Sequence, residues 1–87
     1  MKTPVRSDPA ALALVRLALK SGEFRRLREA AHIRRADIAL WLGVHETSVL
    51  AWERGRSSPT REHAARLASL VDELRSGIKQ DAAARSQ

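Results

Sequence analysis

"LGVHETSVLAWERG", residues 42–55, is the stretch on which the reading of this chain turns. It is built from residues that tolerate a helix, yet from Glu46 onward only Val49 and Trp52 fall on a face able to meet a core. Glu46, Thr47, Leu50, Ala51 and Arg54 form the opposite stripe, a mixture of charge, hydroxyl and small apolar groups. So mixed a stripe gains little from burial, and the spacing predicts that it faces outward. Gly43 ahead of it and Gly55 behind it suit the left-handed backbone that ends a helix.

Working outward, Ala, Leu, Arg and Glu dominate and no apolar alternation is sustained, so the chain is expected to be all-helical. Asp8-Pro9, Ser21-Gly22, Gly43, Gly55 and Pro59 punctuate it into five helical segments: Pro9 to Lys20, Glu23 to Ala31, Arg35 to Leu42, Glu46 to Arg54, and Arg61 to Arg75. Phe24, Leu27 and Ala31, then Ile38, Ala39 and Leu42, then Ala64, Leu67, Ala68, Val71 and Leu74 recur at helical spacing and should join Val49 and Trp52 in one core. Thr60 can cap the last helix. Residues 1–21 read as an N-terminal arm and extra helix, 22–75 as the domain proper, and 76–87 as a flexible tail poor in apolar residues.

The chain has 87 residues, enough for one small domain with a modest core, and no cysteine, which excludes a disulfide scaffold and thiolate zinc. His32, His45 and His63 match no metal-ligand spacing, so no metal and no cofactor are expected. A net charge of +6, largest in the first 21 residues, favours a polyanionic partner. Residues 9–19 are too short, and too interrupted by Arg16, to span a bilayer, so a cytoplasmic protein without membrane contact is expected. No glycine-rich phosphate loop and no nucleophile–base pair point to an enzyme.

Two short helices joined by a glycine-containing turn, "ADIALWLG" and "ETSVLAWER" around "VH", have the plan of a helix-turn-helix unit. The longer stretch "FRRLREAAHIRRADIALWLGVHETSVLAWERGRSSPT", residues 24–60, resembles the Cro and lambda-repressor-like (xenobiotic response element) family. Leu27-Arg28, Ile33, Ile38-Ala39, Leu42-Gly43-Val44, Val49, Trp52-Glu53, Gly55 and Ser58-Pro59 carry the resemblance. It implies a five-helix DNA-binding domain, here with an N-terminal extra helix, that works as a homodimer on a partly palindromic operator. It further implies a partly buried salt bridge between Arg28 and Glu53, and a phosphate contact at Arg35, where the family often carries Gln. Arg34 stands in place of the usual Ser cap, which should weaken that helix start while adding charge.

The outward stripe then acquires chemistry in a major groove. Glu46 can accept from a cytosine amino group, Thr47 can bond a base edge or touch a thymine methyl, and Leu50 and Ala51 can touch thymine methyls. Arg34, Arg35, Ser48, Arg54, Arg56, Ser57 and Ser58 are the expected phosphate contacts, which position the protein without reading sequence. Glu46 would equally favour a helix start, and the serines a solvated loop. Leu40 and Trp41 are large and apolar where the family is polar. The N-terminal helix, with Leu12, Leu14, Val15, Leu17 and Leu19, is expected to cover them within its own chain, or else across a dimer.

These features describe a small sequence-specific transcription regulator, a phage or mobile-element repressor of Cro-like or immunity type that blocks promoters. Too few residues flank 24–60 for a sensor domain, so no small-molecule effector is expected. The alternative is a protein-binding module, such as an autoregulating antitoxin whose main partner is a protein.

Overall fold

The computed structural model describes residues 8–85, with side chains as far as residue 77. The arm at residues 1–7 and the last two residues of the expected tail lie outside the described residues. Five α-helices follow in order: α1 Pro9–Ser21, α2 Glu23–Ala30, α3 Arg35–Leu42, α4 Glu46–Glu53 and α5 Arg61–Arg85, with no strand among the described residues.

Local chemistry explains where the outer helices begin. At α1, Pro9 occupies the first turn, where its missing N–H costs nothing, and the Asp8 carboxylate accepts from the Ala11 amide at 3.1 Å. At α5, the Thr60 hydroxyl accepts from the His63 amide at 3.4 Å and the Thr60 carbonyl from the Ala64 amide at 2.8 Å.

The core is a single cluster. Phe24, Leu67, Val15 and Val49 lie at its centre, all but inaccessible to solvent. Ala11, Ala18, Ala64 and Ala68 are buried beside them, and such small side chains let helix backbones approach closely. Helix α1 packs chiefly on α5, and also on α2 and α4, while α3 packs on α4. Leu27, Ala31 and Leu74, expected inside, are only half-buried, whereas Ala65 and the charged Arg28 are buried.

Two expectations are overturned. Helix α1 is not a lid on α3: Leu12, Val15 and Leu19 enter the common core, while Leu14 and Leu17 stay 41% and 61% exposed. Leu40 is left 84% exposed and Trp41 47%. The reason is helical geometry, since Ala11, Leu12, Val15, Ala18 and Leu19 make one stripe at i, i+4, i+7 spacing. That stripe fits the Ala64, Leu67, Ala68 and Val71 stripe of α5 and can face only one way. The second correction concerns the C-terminus, where α5 does not fray at Ser76 but runs to Arg85. Gly77 is the poorest helix former there, while Ala82, Ala83 and Ala84 are the best, and a helix already nucleated upstream propagates through them at little cost.

Candidate nucleic-acid interface

The site is built on α3 and α4 and the turn between them, Gly43 to His45. Gly43 has φ +72°, and the amide of Val44 reaches back to the Ala39 carbonyl at 2.9 Å, closing α3. Gly55 has φ +73°, and the Arg56 amide closes α4 on the Ala51 carbonyl at 2.9 Å. A Cβ at either glycine would meet open space, so the demand is on backbone conformation and not on room. Between these closures Val49 and Trp52 are buried, which fixes the roll of α4 about its axis; the Trp52 ring lies 6.0 Å from that of His63 on α5.

With that roll fixed, Glu46, Thr47 and Arg54 are exposed, and Ser48, Leu50 and Ala51 are half-buried along the same helix. Arg56, Ser57 and Ser58 are exposed on the following loop, which is pinned by the buried Pro59. Helix α4 begins at His45 with no side-chain cap, and Glu46 places a negative charge at the positive end of the helix dipole.

Glu53, on the inner side of α4, organises the arginines. Arg28 donates from Nε to Glu53 Oε2 at 2.8 Å and from Nη2 to Oε1 at 3.2 Å, and its Nη1 donates to the Ile33 carbonyl at 3.0 Å. Arg35, one-third exposed, brings its Nε within 3.5 Å of Glu53 Oε1. That Nε is buried without a hydrogen bond, so the attraction to Glu53 is coulombic. The link between Arg35 and Glu53 escapes sequence reading, because nothing in their spacing joins the start of one helix to the end of the next.

Arg34 corrects a further expectation. An arginine side chain has no acceptor and cannot cap α3 as Ser would, but the helix start is not weakened for want of it. Asp37 in the first turn accepts from the Arg34 amide at 3.0 Å and from its guanidinium at 3.2 and 3.3 Å. The side-chain hydrogen bond holds the Asp37 carboxyl below its usual range and raises Arg34. Arg34 is therefore exposed but already engaged.

A family model described as a helix-turn-helix domain matches residues 21–76, more than half of the chain. The chain belongs to the helix-turn-helix domain family. The match is consistent with the resemblance to Cro and lambda-repressor-like domains, and it takes in α2, α3 and α4 and leaves nearly all of α1 outside. Comparison with curated proteins and with solved structures yields no match. In a helix-turn-helix domain the second helix of the unit, here α4, is the one offered to DNA, and the first braces it. Among the described residues no three His, Cys, Asp or Glu side chains are grouped to hold a metal, and no helix is long and apolar enough to cross a membrane.

Proposed function

We propose that the protein is a sequence-specific double-stranded DNA-binding transcription regulator, a small repressor of a phage or mobile element that occludes promoters in the cytoplasm of a bacterial cell. The observation that carries this reading is the exposed side of α4, with Glu46, Thr47 and Arg54 outward while Val49 and Trp52 hold the helix from behind. Glu46, Thr47, Leu50 and Ala51 read base edges. Arg35, Ser48, Arg54, Arg56, Ser57 and Ser58 take phosphates, with Arg34 adding charge nearby.

Selection of bound sequences from random duplexes tests this. The expected product is a partly palindromic site whose half-sites lie about 34 Å apart, one helical turn, because two copies present α4 on one face of DNA. A pool that never enriches would end the proposal.

A second reading has one observation in its favour. Leu40 and Trp41 form an uncovered apolar pair on α3, which suits a protein partner such as the toxin of an autoregulated pair. Stoichiometric capture of one protein that is lost on Leu40→Ser, with no enrichment of any duplex, would favour that reading.

A further inference from the structure

We propose that the extra helix α1 is part of the DNA interface, with Arg16 and Lys20 gripping a backbone phosphate beside those taken by the loop after α4. The proposal rests on the DNA-binding reading above and extends it to a helix outside the resemblance.

A cleft of about 240 Å³ lies between α1 and that loop, open to solvent. Buried Trp52 and Pro59 form its floor, and exposed Arg16, Lys20, Ser57 and Ser58 its rim. No carboxylate lines it. Arg16 and Lys20 stand one turn apart on the same face of α1, and among the described residues neither has a carboxylate partner. Arg25, Arg28, Arg34, Arg35 and Arg75 are paired with acids, whereas Arg54 and Arg56 at the start of the loop, like Arg16 and Lys20 and like Arg26, Arg61 and Arg66 elsewhere, have no acid partner among the described residues.

Lys20 alone has an ordinary explanation, since a cation at the end of α1 suits the helix dipole. Arg16 lies outside that last turn. Two unpaired cations facing two hydroxyls across an open cleft are the donors that a phosphodiester requires. Exposed Arg54 and Arg56 flank Gly55, which lines the cleft, at the start of the same loop. A free phosphate would need the cleft alone, whereas a polymer of phosphates can also use the exposed cations that flank Gly55 at the end of α4, and this decides for DNA backbone.

The experiment compares the full chain with its Arg16→Ala/Lys20→Ala variant on selected and unrelated duplexes over a range of salt. The expected result is a loss of about three- to tenfold on both kinds of duplex, a log–log salt slope shallower by about 1 to 2, and unchanged ranking of base preferences. Neutral methylphosphonate linkages, introduced one at a time, should reveal one position per half-site that weakens the wild type but not the variant. Arg16→Lys/Lys20→Arg should retain wild-type affinity, and both variants should melt like the parent. An unchanged slope in the alanine variant, whether or not it melts lower, overturns the proposal and leaves DNA binding standing. A wild-type chain that binds no duplex overturns both.

Discussion

Glu53 of α4 closes on Arg28 of α2 through both carboxylate oxygens, and the two side chains are only 4% and 6% exposed. The pair ties the recognition helix to the scaffold at the end opposite its exposed N-terminus. A buried ion pair is weak evidence for stability in itself, but removing one partner strands a desolvated charge. Glu53→Ala or Arg28→Ala should therefore cost about 3 to 5 kcal/mol, measured as the fall in urea midpoint at constant slope. Replacing both together by Leu and Met should recover most of that loss. Single losses under about 1 kcal/mol would show that water reaches the pair.

Arg35 and the two residues that open α4 should separate in their effects on DNA. Arg35→Ala is expected to weaken all duplexes about equally and to lower a salt slope of about −4 to −5, the value for 4 to 6 phosphate contacts. Glu46→Ala or Thr47→Ala should instead reorder the preferred sites, by about 1 to 3 kcal/mol per altered base contact. Binding titrations on a panel of single-base variants distinguish the two patterns.

His32 adopts φ +59° just after α2, where the Ile33 amide closes the helix on the Arg28 carbonyl at 2.9 Å. A left-handed backbone costs an L-residue about 1 to 2 kcal/mol, of which glycine's greater unfolded-state freedom returns only part. His32→Gly should accordingly stabilise the protein by about 1 kcal/mol, raising its melting temperature by about 4 to 8 °C. A lower melting temperature would mean that the imidazole makes a contact worth more than the strain.

Asp37 predicts an acid limb. Its carboxyl is held below the unfolded value, first by the Arg34 side chain and then by the Arg34 amide. Its contribution is thus present in full above the unfolded value and is lost as pH falls through the lower, folded one. Asp37→Asn should flatten that part of the stability curve by lowering neutral-pH stability toward its acid value, a small loss because the group is exposed to solvent. Melting curves between pH 2 and pH 7, roughly the range over which a carboxylate titrates, provide the check.

The helix-turn-helix plan was legible because its signals are local. Gly43 and Gly55 announce two left-handed turns, and Val49 with Trp52 orient α4 from spacing alone. Partners distant along the chain were not legible in the same way. Arg28 and Glu53 came together only through the family resemblance, and Arg35 joined them without any signal. Helix α1 shows the limit most clearly: its leucines are easy to see, but four of them and a valine among alanines do not say which neighbour they face. That was settled by the complementary alanine stripe on α5, a tertiary fit that periodicity does not encode. The extension of α5 past Ser76 is hidden for a related reason, because low apolar content suggests loss of structure where helix propensity suffices.

The two tryptophans lie in opposite surroundings, Trp41 half in water and Trp52 walled in beside His63. The molecule therefore contains two intrinsic fluorophores with separate duties. A soluble quencher such as acrylamide addresses Trp41 first and so senses anything that settles on α3. Emission from Trp52 shifts to the red only when the scaffold behind the recognition helix opens, so occupancy and unfolding can be followed in one unlabelled sample.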